Sequence, residues 1–139
     1  MYTPPPLLNL VVIRSADLDR SERFYRAFGL SFERHRHGNG PEHLAAQPYK
    51  YGSVFEIYLA SGKAGSTTGV RLGFSVDDVD AYMNSMVEAG GLILQEPMDS
   101  EWGRRAVVAD PDGHKVELVT PPNRTATIIG GQGGTSNGG

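Results

Sequence analysis

Two glutamates stand in the middle of short alternating runs, Val54-Phe55-Glu56-Ile57-Tyr58-Leu59 and Lys115-Val116-Glu117-Leu118-Val119. Successive side chains of a strand point to opposite faces, so Val116 and Leu118 share one face and Lys115, Glu117 and Val119 the other. A carboxylate among aliphatic neighbours is costly to bury, which suits a sheet face that lines a wet cleft. There it can bind a cationic or hydrogen-bonding ligand, or take a proton as a general base. Partial burial and a like-charged neighbour raise a carboxylate's pKa, whereas a nearby guanidinium lowers it. Two further polar residues occupy early strands, Asn9 in Leu7–Arg14 and Arg71 in Val70–Val76.

The elements that must position these groups repeat. The first half reads as a strand over 7–14, a helix from Asp17 or Asp19 to Phe28, and strands over 31–37, 42–47 and 53–60. Asp19 with Glu22 resembles a capping box, and Gly29 suits a left-handed stop. Leu18, Ser21, Tyr25 and Phe28 form one stripe, with Phe24 beside it. A loop spans 38–41 and a turn lies near 49–52. The segment 61–69 reads as a flexible joint, and its Gly62-Lys63 lacks the spacing of a phosphate loop. The second half follows the same order: a strand over 70–76, a helix capped by Asp77 or Asp78 and ending at Gly90-Gly91, a short strand over 92–96, a loop over 99–103, and a hairpin. That hairpin turns at Asp110-Pro111-Asp112-Gly113, where Pro111 presets one backbone angle and Gly113 accepts a positive φ.

Length and composition give one domain. The 139 residues suffice for a single core, and the cysteine count of zero removes disulfides, thiolate metal sites and a cysteine nucleophile. A net charge of -3 offers no basic field for nucleic acid or an anionic membrane. No apolar run reaches spanning length, and the N-terminus lacks a signal-peptide pattern, so a cytoplasmic protein is expected. The expected organisation is a Pro-rich lead-in over 1–6, one domain over 7–122 with modules 7–60 and 69–120, and a disordered Gly-rich tail over 123–139.

Three motifs recur in order: Asp17-Leu18-x-x-Ser21-x-x-Phe24-Tyr25-x-x-x-Phe28-Gly29-Leu30, then Phe74-Ser75-Val76-Asp77-Asp78-Val79, then Asp110-Pro111-Asp112-Gly113 with Glu117 four residues on. Together they resemble the vicinal oxygen chelate superfamily of glyoxalases, extradiol dioxygenases and bleomycin-resistance-type proteins. The resemblance covers roughly 7–120. It implies an α+β fold in which two βαβββ modules form a curved mixed sheet around a cleft, and a homodimer. Metal-dependent members carry ligands on the first and last strand of each module. Those positions are taken here as Asn9, Glu56, Arg71 and Glu117, so an amide and a guanidinium stand where histidines are expected. Arginine offers donors only and repels a divalent cation. No metal or other cofactor is therefore expected, and Arg71 is expected to pair with Glu117, Glu56 or both.

His35 and His37 read as a solvated edge, with His43 on the next strand able to lie across from them but a metal site there not expected, and His114 reads as exposed. Arg104 and Arg105 read as edge-strand charges. Trp102, in a polar loop, reads as a lid aromatic or a core plug. The ligand-binding candidates are Asn9, Glu56, Tyr58, Arg71, Trp102 and Glu117, with Glu56 or Glu117 as candidate base. Two functions follow: a metal-independent binder of small, drug-like or metabolite molecules, or a lyase or isomerase abstracting a proton next to a carbonyl. A dioxygenase is set aside, because its iron needs two histidines that these positions do not offer.

Overall fold

The computed structural model describes residues 2–47 and 52–122. The tail over 123–139 and most of the turn expected near 49–52 lie outside the described residues. The element order is β1 (Leu10–Ser15), α1 (Leu18–Arg26), β2 (Phe32–Arg36), β3 (Glu42–Ala46), β4 (Val54–Leu59), β5 (Arg71–Ser75), α2 (Val79–Glu88), β6 (Leu92–Ser100), β7 (Gly103–Ala109) and β8 (Lys115–Thr120). The strands form two mixed sheets of four, ordered β1-β4-β3-β2 and β5-β8-β7-β6. In each sheet the first strand lies parallel to the last, and the others pair antiparallel. This is the α+β arrangement of two βαβββ modules.

Several boundaries differ from expectation for physical reasons. β1 starts at Leu10 rather than Leu7, and Leu7 and Leu8 are exposed. The cap of α1 is Asp17, whose carboxylate accepts from Arg20 N at 3.1 Å, while Asp19 pairs with Arg34 instead. α1 ends at Arg26, and Gly29 takes φ 113° beyond it. β6 continues to Ser100 through two register shifts, so the loop expected over 99–103 shrinks to a turn at Glu101-Trp102. β7 lies between β6 and β8, so Arg104 and Arg105 are not on an edge strand.

One core serves both sheets. Tyr25 of α1 packs on Phe55 of β4 at 5.1 Å between ring centroids, and Phe28 packs on Phe74 of β5 at the same distance. Phe55 and Phe74 themselves meet at 5.8 Å. Gly91 lets Phe24 approach, since a Cβ there would stand 2.6 Å from the ring.

The halves are also joined by polar contacts at the turn over 110–113. Gly113 takes φ 105°, and its N–H donates to the Asp110 carbonyl at 2.9 Å. The buried Asp110 carboxylate accepts from the Tyr25 hydroxyl at 2.7 Å, from His114 N and Asp112 N, and from His114 Nδ1 at 2.9 Å. With Nδ1 donating, His114 Nε2 accepts from the Thr67 hydroxyl at 2.7 Å, and Thr67 Oγ1 accepts from Arg14 N at 2.9 Å. His114 is therefore fully buried, not exposed as expected: its imidazole bridges the joint to the turn. Asp112 accepts from Ser15 Oγ, Ala16 N and Arg20 of the first module.

Burial alone would raise the Asp110 pKa, but the hydrogen bonds from His114 and Tyr25 outweigh it and hold the carboxyl below its ordinary range. The stability this group supplies is thus complete above its unfolded pKa of about 3.9 and lost as pH falls through the lower folded value. Tyr25→Phe should cost about 1–3 kcal/mol in urea unfolding at neutral pH, as expected when a buried acceptor loses a donor. It should also weaken the acid dependence of stability. An unchanged unfolding midpoint would contradict the proposed role of this bond.

Candidate functional site

Each sheet has one face toward the shared core and one turned away. In β4, Phe55 and Ile57 point into the core and Val54, Glu56 and Tyr58 point away. In β8, Val116 and Leu118 are buried and Glu117 is partly exposed, as the alternation predicts. The two candidate carboxylates therefore occupy the outward faces of corresponding strands.

On the first sheet the residues of that face lie in rows across the strands. Val12, Glu56 and Ala45 are register partners in one row, and Arg14, Tyr58, His43 and His35 in the next. The Tyr58 and His43 rings stack at 4.3 Å and 6°. Arg14 Cζ stands 5.1 Å from the Tyr58 centroid, and His37 stacks on His43 at 5.3 Å. His43 lies across from His35 in register and is fully buried, whereas His35 is half-buried and His37 exposed. The cause is the register, which puts His43 opposite Tyr58 and beneath the flanking rings. Its Nε2 lies 3.8 Å from Glu56 Oε2, too far for a hydrogen bond, and neither ring nitrogen has a partner among the described residues.

On the second sheet the carboxylate is occupied. Glu117 Oε1 accepts from Arg105 Nη2 at 2.9 Å and Arg71 Nη2 at 3.0 Å. The Arg105 hydrogen bond, then that of Arg71, holds the Glu117 carboxyl below its ordinary range against the opposing effect of partial burial. Gly73, the register partner of Glu117, leaves open space beside it. Arg104 turns elsewhere, bonding Asp80 and Asp99. The expected pairing of Arg71 with Glu117 is present; no ion pair joins Arg71 to Glu56 among the described residues.

Asn9 needs correction. Leu10 pairs with Val54 as Arg71 pairs with Lys115, so Leu10, not Asn9, corresponds to Arg71. Asn9 precedes β1, and its carbonyl accepts from Val54 N at 2.9 Å. The alternation of β1 places it on the face opposite Leu10 and Glu56; a shift of one residue exchanges the faces of a strand. Nor do the contacts gather the four polar residues at one point, because Glu56 neighbours His43 while Arg71 and Glu117 neighbour Arg105. Trp102 lies in the β6–β7 turn and is 64% exposed, so it is no core plug. Sequence reasoning missed His43 and Arg105 as neighbours of the two carboxylates. Both lie on strands adjacent to those of the glutamates, and only the register reveals them.

The description Glyoxalase/Bleomycin resistance protein/Dioxygenase superfamily matches residues 7–118. The chain belongs to this superfamily. A superfamily relative, named a probable lactoylglutathione lyase, from Vibrio cholerae serotype O1 is 32% identical over 86% of this chain and 94% of its own. The lactoylglutathione lyase of Haemophilus influenzae is 31% identical, over 78% and 87%. Among solved structures the antibiotic-binding protein TnmS3 from Streptomyces sp. CB03234 superposes with a TM-score of 0.67 at 23% identity, covering 86% of this chain and 99% of that one. That likeness shows the glyoxalase/bleomycin-resistance fold.

If Arg105 is what depresses the Glu117 carboxyl, Arg105→Met should move its titration up toward about 4.3, the usual glutamate value. Side-chain carboxyl NMR of the two proteins checks this; an unmoved Glu117 titration would contradict it.

Proposed function

We propose that this chain is a metal-independent binder of small organic molecules, acting as a cytoplasmic homodimer. The observation that carries the reading is the pair of guanidinium groups on Glu117. In metal-dependent members of the superfamily the corresponding strands supply the ligands, and the four equivalent positions here are Leu10, Glu56, Arg71 and Glu117. A hydrocarbon and a guanidinium have no lone pair to give, and two arginines already bond to Glu117. Such a donor set does not fit a divalent cation.

What these faces offer instead is recognition. Leu10, Val12 and Val54 supply apolar surface, Tyr58 an aromatic ring, and Glu56 a carboxylate, the mixture typical of a small-molecule site. The same fold serves antibiotic binding in TnmS3. β1 and β5 are each the outer strand of their sheet, and no further strand pairs with their free edges among the described residues. Bare strand edges favour a second copy pairing along them.

A second reading is kept because one observation favours it: Glu56 has no arginine or lysine partner among the described residues, so it is the better candidate base. The Vibrio cholerae and Haemophilus influenzae relatives bear the name of a lyase. On this reading the chain shows lactoylglutathione lyase activity or a related proton abstraction, and Glu56→Gln abolishes it while Glu117→Gln does not.

Three results are expected. A thermal-shift screen of planar and cationic compounds should raise the melting temperature in the presence of chelator, and hits only in the presence of metal would contradict the proposal. Leu10→His combined with Arg71→His should create zinc or nickel affinity by isothermal titration, whereas equal binding by the parent would show that the arginine does not block a site. Sedimentation should give twice the 15.0 kDa chain mass; a monomer would contradict the dimer.

A further inference from the structure

The outward face of the first sheet differs in charge from that of the second. Glu117 is neutralised by two arginines, but Glu56 has no hydrogen bond and no arginine or lysine ion pair among the described residues. It stands between apolar neighbours: Val12 on one side in register, Ala45 on the other, and Val54 along its own strand. Its carboxylate side chain is 20% exposed. Arg14, the cation nearest in the pattern, lies over Tyr58 and donates to the Leu59 carbonyl rather than to Glu56.

An independent observation points at the same spot. His43 is fully buried, Nδ1 and Nε2 both lack partners, and Nε2 faces the Glu56 carboxylate across 3.8 Å. Leaving a buried polar atom unpaired forfeits its hydration with nothing in return. The large majority of buried side-chain polar atoms in native proteins have a hydrogen-bond partner, so two on one ring without one mark an unusual spot. The cost at Nε2 is relieved if Glu56 is drawn into a fixed position, with one oxygen against His43 Nε2 and the other against a ligand donor.

We propose that Glu56, backed by His43, is the anchor for the positively charged nitrogen of an amphiphilic organic cation, meaning a protonated amine carried on a flat apolar body. The inference rests on the small-molecule-binding reading above and adds the chemical class of the ligand. The ammonium donates to Glu56 in a charge-assisted hydrogen bond. The apolar body lies along Val54, Val12 and Leu10, where it displaces water from exposed aliphatic surface. The Tyr58 ring walls the site. His43 is a positioning residue: it holds Glu56 and does not touch the ligand. A neutral ligand of the same shape gains the apolar contact but leaves the carboxylate unpaired under a dry surface, which it must pay for in desolvation. An anion is repelled.

The test uses the full-length protein and two flat dyes of the same shape, 9-aminoacridine, which is cationic at neutral pH, and acridine, which is mainly uncharged. Binding is followed by fluorescence titration in the presence of chelator. The cation should bind at least about tenfold tighter, equivalent to about 1.4 kcal/mol, and the preference should shrink as salt is raised. Glu56→Gln should abolish the preference while leaving acridine binding unchanged, and Glu117→Gln should leave it intact. His43→Gln should weaken cation binding and His43→Phe should weaken it more, since glutamine can still donate to Glu56. Circular dichroism of each variant reports on folding. Equal affinity for the two dyes, or a preference that survives Glu56→Gln, overturns the cation site but leaves the small-molecule reading standing. If neither dye binds while the thermal-shift screen still yields neutral or anionic ligands, the cation site is again overturned and the broader reading survives. If no compound of any charge binds, both fall.

Discussion

The Asp110 carboxylate is the contact on which the rest of the structure depends. It closes its own turn through backbone donors and fixes the His114 imidazole, and it also takes the hydroxyl of Tyr25 from the other half of the chain. Two residues later, Asp112 binds Ser15, Ala16 and Arg20. One turn between β7 and β8 thus holds α1 and the end of β1 against the second sheet. The apolar packing of Tyr25, Phe28, Phe55 and Phe74 does the larger energetic share, but it is non-directional. The turn supplies direction, and so fixes how α1 and the end of β1 seat against the second sheet.

The consequence is a pair of related faces with different chemistry. Duplication provides each module with a mid-strand glutamate at the same place. Neighbouring strands then make them different: β5 and β7 bring arginines to Glu117, and β1 and β3 bring an aliphatic residue and a small one beside Glu56, with His43 one row away. A charge satisfied by two guanidinium groups is a structural tie. A charge with no such partner, on a partly apolar face, is available for recognition.

The sequence made much of this legible. Alternation in Val54–Leu59 and Lys115–Val119 gave the correct faces for Glu56 and Glu117, because period-2 patterning is a local property. The turn over 110–113 and the helices could be read for the same reason. What was not legible was register. The assignment of Asn9 failed by one residue because 7–13 is apolar except at Asn9 itself, so that no alternation marks the strand's start or its faces. The burial of His43 was not legible because it depends on Tyr58 of another strand, and His114 was misplaced because its partners, Asp110 and Thr67, meet only when the joint folds back over the turn. The cleft expected to unite the four polar residues requires knowledge of how the two faces are placed, which no local pattern carries.

The central claim is that arginine has taken the place of a metal at Glu117, so that binding is organised by side chains alone. The most direct test is elemental analysis of untagged protein purified without chelator. The account predicts less than about a tenth of an equivalent of any transition metal per chain, the trace left by an incomplete ligand set. Close to one equivalent, held through dialysis, would contradict it and would make the lyase reading the stronger one.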